Sequence, residues 1–281
     1  PSRELAEKFL TAWGITHQLY DPLCSPDELA ALMSPQTRLL WLEAPGSVTM
    51  EMPDLRGLIA AARQHGVCTA IDATWAAGIA LQPFDLGVDV VMQALTKYQS
   101  GGADVLMGSV STRDDALHER LLLAHMRLGL GVCGDDAARV LRGLHTLTLR
   151  YAAHDAAARH IATWLQTQPQ VAQVLHPALP GSPGHAIWKR DCTAAGGLFS
   201  VVFDARYAPA QIDAFVDALQ LFKIGYSWGG PVSLAVPYDV HSMRPTGRWP
   251  YQGGLVRLAI GLEHADDLIA DLAQAMQRAL V

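Results

Sequence analysis

Val67-Cys68-Thr69-Ala70-Ile71-Asp72 is an uncharged run of strand length that ends on a carboxylate, and Gly66 punctuates its start. Working outward, the preceding stretch from Pro53 carries Leu55, Leu58, Ile59 and Ala62 at i, i+3, i+4 and i+7. That spacing draws one apolar stripe along a helix, with Pro53 suited to its first position and Gly66 to its stop. Before it, Arg38-Leu39-Leu40-Trp41-Leu42 is another short apolar run, closing at the loop signal Glu43-Ala44-Pro45-Gly46. Beyond Asp72, a connection containing Gly and Pro leads to a third run, Val88 to Leu95, which ends at Thr96-Lys97-Tyr98. Strand, helix and strand at this spacing form a βαβ unit, which implies an α/β large domain with a mainly parallel sheet flanked by helices.

The second half has a different rhythm. Arg139 to Trp164 reads as one long helix or two in succession, followed by a turn-rich passage through Pro177, Pro180-Gly181 and Pro183-Gly184. Leu198 to Phe203 and Leu255 to Ile260 read as strands. Pro209 opens a helix with Ile212, Phe215, Val216 and Leu219 on one face, and Asp266 to Leu280 closes as an amphipathic helix. The expectation is a smaller α+β C-terminal domain spanning 146–281, with 1–145 forming the large domain.

With 281 residues, 50% of them hydrophobic and 17% charged, the chain can fill a sizeable core. Its 21 Lys and Arg against 27 Asp and Glu give a net charge of −6 without a basic cluster, so no nucleic-acid partner is expected. No uninterrupted apolar stretch reaches the roughly 18 to 20 residues of a membrane span, and no membrane partner is expected. Cys24, Cys68, Cys133 and Cys192 stand far apart, which suggests a reducing, cytoplasmic setting. The 11 histidines show no metal-binding spacing, and no metal is expected. Because the chain opens at Pro1 in a helix-like stretch over 3–13, it reads as the later portion of a longer protein.

Open parallel sheets bind ligands at the carboxyl ends of their strands. Glu43, Asp72 and Thr96-Lys97 terminate the three apolar runs, so an acid, a hydroxyl and an amine are expected along one sheet edge. This set suits an anionic, nitrogen-containing cofactor. On pattern alone the plainer reading is a surface ion pair between Asp72 and Lys97.

A resemblance shifts that balance. The sequence from Ile71 to Gly78, then Asp85 to Val90 and Gln93 to Tyr98, is similar to the core of the Cys/Met-metabolism family of pyridoxal-phosphate enzymes, its β-lyase branch above all. The likeness continues in order through Glu43-Ala44-Pro45-Gly46-Ser47, Arg142 to Leu147, His176 to Ser182, Tyr226 to Gly230 and Arg257 to Glu263. It implies the fold type I architecture of the PLP-dependent transferases and the cofactor pyridoxal 5'-phosphate. Lys97 then matches the lysine that holds the cofactor as a Schiff base, for which a lowered amine pKa is an advantage. Asp72 matches the carboxylate that keeps the pyridine nitrogen protonated, and Thr96 a hydroxyl donor to the phosphate. Arg257 matches the arginine that grips the substrate α-carboxylate, while Ser227 and Trp228 match a loop on the substrate side.

The activity implied is β-elimination of L-cystathionine to homocysteine, pyruvate and ammonia, by a homotetramer built as a dimer of dimers, in methionine biosynthesis. Cystathionine γ-lyase, γ-synthase or cysteine desulfhydrase chemistry on the same scaffold is the enzymatic alternative, and a non-catalytic regulatory protein retaining the fold is another. The chain departs from the family pattern in three places. Pro231-Val232-Ser233-Leu234 lacks the acid that usually precedes Ser-Leu, Ala73 replaces an asparagine, and Ala94 stands where many relatives carry a phosphate-binding serine. The family's N-terminal phosphate loop and ring-stacking tyrosine have no counterpart in this sequence.

Overall fold

The computed structural model describes residues 2–244 and 249–281. The stretch expected as one helix over 3–13 is instead three short turns. Helix α1 (Ser2–Glu4) widens into a π-helical turn (Leu5–Phe9) and tightens into a 3₁₀ turn (Leu10–Trp13), stopped by Gly14 at φ +75°. None of these residues is buried, so no packing selects a single helical register. Helix α2 (Pro26–Leu32) starts on a capping box in which Ser25 and Glu28 satisfy each other's backbone N–H.

The decisive segment folds as read. β1 (Leu39–Glu43), α3 (Leu55–Gln64), β2 (Cys68–Asp72) and β3 (Val90–Ala94) form the βαβ core, with Leu55, Leu58, Ile59 and Ala62 buried. Helix α3 begins at Leu55 and not at Pro53, because Asp54 takes the cap position. The sheet order is β1-β2-β3-β4, parallel through β3, with β4 (Gly108–Ser111) added antiparallel at the edge. Helix α4 (Asp115–Arg127) follows, capped by the Asp114 carboxylate. The long helical stretch then resolves into two pieces, α5 (Gly134–Leu144) and α6 (Leu147–Leu165), broken at His145-Thr146.

A second sheet has the order β5-β6-β9-β8-β7, from β5 (Val171–Leu175), β6 (Leu198–Phe203), β7 (Lys223–Ile224), β8 (Leu234–Tyr238) and β9 (Leu255–Ala259). It is antiparallel except for the β7–β8 pair. Helix α7 (His185–Asp191) precedes β6, α8 (Pro209–Asp217) lies between β6 and β7, and α9 (Val240–Met243) follows β8. The apolar faces of α8 and of α10 (Ala265–Ala279) bury Ile212, Phe215, Leu268 and Leu272 with Phe199, Val256 and Leu258 of the sheet. Leu219, expected on α8, lies just past its end, half-buried against the same core.

The other core crosses both halves of the chain. It joins Leu42, Ile71 and Trp75 with Tyr151, Leu198, Trp228 and Leu255. Hydrogen bonds lock it together: the Tyr98 hydroxyl accepts from Gly197 N–H at 2.7 Å, Tyr151 donates to the Trp75 carbonyl at 3.0 Å, and Trp75 Nε1 donates to the Leu198 carbonyl at 3.2 Å.

Candidate active site

Parallel pairing brings the chemistry to one edge. β1 and β2 run in register so that Glu43 lies opposite Asp72, both at the carboxyl ends of their strands. β3 ends at Ala94, and the turn after it carries Thr96 and Lys97. Facing this edge is the 226–230 loop between β7 and β8, which reaches back onto the Lys97 turn. Lys97 Nζ donates to Ser227 Oγ at 2.9 Å and lies 5.1 Å from the centre of the Trp228 ring. Trp228 is buried and packs edge-on against Tyr98 at 5.7 Å. The approach is tight enough to require glycine. Gly229 sits at φ +77°, where a Cβ would lie 3.1 Å from the Tyr98 nitrogen and 3.2 Å from Lys97 Cβ.

Burial, reinforced by the positive charge of Arg257, pulls the Lys97 ammonium below the ordinary lysine value, while Asp72 opposes the shift. The ion pair that pattern alone suggested is not formed. Among the described residues Lys97 has no carboxylate partner, and its amine is held by the Ser227 hydroxyl. Asp72 instead accepts from the Thr74 N–H at 2.9 Å. Burial and the neighbouring Asp72 carboxylate push the Glu43 carboxyl above its usual range.

Arg257 projects from β9, opposite Ser200 of β6 and Val236 of β8. It is 5% exposed, and no carboxylate pairs with it among the described residues. Its guanidinium donates to the Ser47 carbonyl at 3.2 Å and to the Tyr226 carbonyl at 2.6 Å, and it lies 5.1 Å from the centre of the Tyr238 ring. Burial draws its pKa down. A buried cation costs free energy unless an anion answers it, so this arrangement is prepared for an incoming carboxylate, which a planar fork binds at both oxygens.

Lys97, Ser227 and Trp228 are thus in mutual contact, with Asp72 and Arg257 close enough to bias the lysine from opposite directions. Thr96 is engaged elsewhere. Its hydroxyl donates to the Met107 carbonyl at 3.2 Å and accepts from the Met107 N–H at 3.0 Å, so its one proton is already committed. The sequence reading did not assign the partners that hold Arg257. Ser47 and Tyr226 act through their backbone carbonyls, which no side-chain motif reports, and Tyr238 lies in a strand without local signal. Among the described residues no three His, Cys, Asp or Glu side chains gather into a metal site.

A cystathionine beta-lyase of Bordetella avium is 42% identical over 282 residues, covering 99% of this chain and 69% of its own length. One from Salmonella typhimurium is 40% identical over 283 residues, covering 99% of this chain and 71% of its own. Among solved structures, the cystathionine gamma synthase of Xanthomonas oryzae pv. oryzae, in complex with aminoacrylate and cysteine, superposes with a TM-score of 0.87. It is 33% identical and covers 96% of this chain and 71% of that one. The family described as Cys/Met metabolism PLP-dependent enzymes matches residues 1–277. With that match running through the same lysine-bearing sheet edge and buried arginine, the chain belongs to the Cys/Met-metabolism family of PLP-dependent enzymes.

Proposed function

We propose that this protein is a carbon–sulfur lyase that cleaves L-cystathionine by β-elimination, with water consumed and homocysteine, pyruvate and ammonia released. The observation that carries the reading is the buried Arg257, unanswered by any acid among the described residues, beside a lysine whose amine is biased toward its neutral form. The residues fit the cofactor. Lys97 Nζ would hold it covalently, Asp72 would keep its ring nitrogen protonated, and Trp228 would wall the site. Thr96 would contact the phosphate by exchanging its bond to Met107.

Pyridoxal phosphate, when bound, supplies an electron sink for the pair left on the substrate Cα. Arg257 would fix the substrate α-carboxylate, which presents the Cα proton to the Lys97 amine once the substrate has displaced it. Lys97 Nζ would then take that proton, its lowered pKa favouring the free base. Ser227, 2.9 Å from Nζ, would orient the lysine lone pair. Trp228, buried against Tyr98, would exclude water from that side.

Reconstitution of the purified protein with pyridoxal phosphate tests the reading. The wild type should gain the cofactor's visible absorbance and release pyruvate and homocysteine from L-cystathionine. Lys97→Ala should lose the absorbance and at least about 1,000-fold of the rate, whereas full turnover in that variant overturns the assignment. Cysteine and 2-oxobutyrate as products would instead mark γ-cleavage of the same substrate. Stable absence of bound cofactor would favour a non-catalytic role.

The finer expectations belong to the same proposal. A division near residue 145 into a cofactor-binding part and a smaller α+β part is supported by the two sheets occupying separate stretches of the chain. A homotetramer is supported by α4, which buries none of its side chains and, with the turn after it, exposes Leu122, Met126, Leu128 and Leu130. Four free cysteines support a cytoplasmic setting, and the substrate supports a place in methionine biosynthesis.

A further inference from the structure

The 43–48 segment connects the two ends of the site. Glu43 closes β1 directly opposite Asp72, and its Oε1 accepts a hydrogen bond from the Ser47 N–H at 3.0 Å. The carbonyl of that same Ser47 accepts from Arg257 Nη1 at 3.2 Å. One residue on, the Val48 carbonyl accepts from Ser200 Oγ at 2.6 Å, and Ser200 is the β6 residue opposite Arg257 in register. The segment is therefore held at one end by Glu43 and at the other by Ser200, with the arginine's acceptor between them.

We propose that Glu43 is a positioning residue, which fixes the Ala44–Ser47 turn so that the Ser47 carbonyl aims Arg257 at the substrate's α-carboxylate. The inference rests on the cofactor-dependent reading above and adds a specificity element to it. Its physical argument begins with cost. A half-buried acid placed against Asp72 sets two carboxylates side by side, and an apolar residue ending the strand would avoid that repulsion. What the apolar residue could not do is accept from Ser47. The acceptor works in either protonation state, since a neutral carboxyl keeps its carbonyl oxygen. Reach matters more than charge. Glutamine places an amide oxygen where Oε1 is, whereas aspartate, shorter by one methylene, falls short of a 3.0 Å contact.

The test compares ligands that differ only in the group Arg257 would bind. Glycine carries an α-carboxylate and glycinamide does not, and neither has a side chain to eliminate. Binding to the cofactor-loaded protein is followed by the change in its visible absorbance, and borohydride fixation of the cofactor on Lys97, read by mass, establishes that each variant is folded and loaded. Glu43→Asp and Glu43→Leu should weaken glycine about tenfold and leave glycinamide within about twofold, while Glu43→Gln should bind both like the wild type. Should Glu43→Leu fail to load, the Asp and Gln variants decide between them. Aspartate behaving as wild type, glutamine as weak as leucine, or equal losses for glycine and glycinamide would each overturn the proposal. A wild type that takes up no cofactor defeats the underlying reading itself and the inference with it.

Discussion

Arg257 and Lys97 show how two cations share one site. Each is drawn toward neutrality by burial, and Arg257 adds repulsion to Lys97, so the strongly basic guanidinium stays charged while the amine is biased toward its free base. Geometry also separates their roles. Arg257 satisfies two backbone carbonyls and retains further N–H donors for a carboxylate, which a lysine cannot match with three donors on one atom. Arg257→Lys should therefore cost about 1.5–3 kcal/mol of substrate binding, read as a KM for L-cystathionine raised roughly 10- to 150-fold while the cofactor stays bound. A different buried group governs acid stability. His176 is fully buried, and burial, with Arg159 nearby, pushes its pKa down to about 4. Between pH 6.5 and 4 the unfolded chain binds a proton that the folded protein refuses. Its contribution is thus complete above pH 6.5 and is lost as pH falls toward 4, about 3 kcal/mol in all. Urea titrations across that window should show a shallower fall in stability for His176→Gln than for the wild type.

At the scale of elements, the site depends on a loop pressed onto a turn. The 226–230 segment carries the hydroxyl for Lys97, the indole that walls it and a carbonyl for Arg257, and Gly229 lets it approach. Gly229→Ala faces both a left-handed backbone, costing about 1–2 kcal/mol for an L side chain, and a Cβ pushed against Lys97 and Tyr98. The loop should withdraw, lowering pyruvate release at least about tenfold while far-ultraviolet circular dichroism and cofactor uptake through Lys97 remain. A polar staple fixes the loop's far side. Ser233 receives the Glu263 carboxylate at both its N–H and its hydroxyl, and that hydroxyl accepts from Gly261 N–H at 2.8 Å. Pro231-Val232 place no acid before Ser233-Leu234, yet the segment is tied down, by Glu263.

Across the whole molecule, the two sheets are bound into one body by buried polar contacts as well as apolar packing. Tyr98, next to the candidate catalytic lysine, is fully buried and accepts from Gly197 at the entrance to β6. Arg150 of α6 donates to the Tyr98 carbonyl at 2.6 Å, and Tyr151 donates to Trp75. These contacts tie the residue after Lys97 to both sheets. Tyr98→Phe keeps the ring but orphans the buried Gly197 N–H, a loss of about 1–3 kcal/mol. The urea midpoint should fall with the slope of the transition unchanged.

The strands and helices of the βαβ unit were legible because their apolar residues recur at the period of the element they build. Leu198–Phe203, buried along its whole length, matched for the same reason. The 3–13 stretch has helical spacing but no core to meet, and its register broke up accordingly. β4 and β7 carry almost no buried side chains, so no apolar pattern announced them. For the site, sequence alone determined which strand ends bear an acid and an amine, because chain direction in a parallel sheet sends those ends to one edge. Only the tertiary structure decided that Lys97 meets Ser227 from 130 residues away and not Asp72, that the Thr96 hydroxyl turns to Met107, and that Arg257 is aimed by Ser47 and Tyr226. Those contacts run through backbone carbonyls and long-range packing, which have no period along the chain and leave no local trace in it.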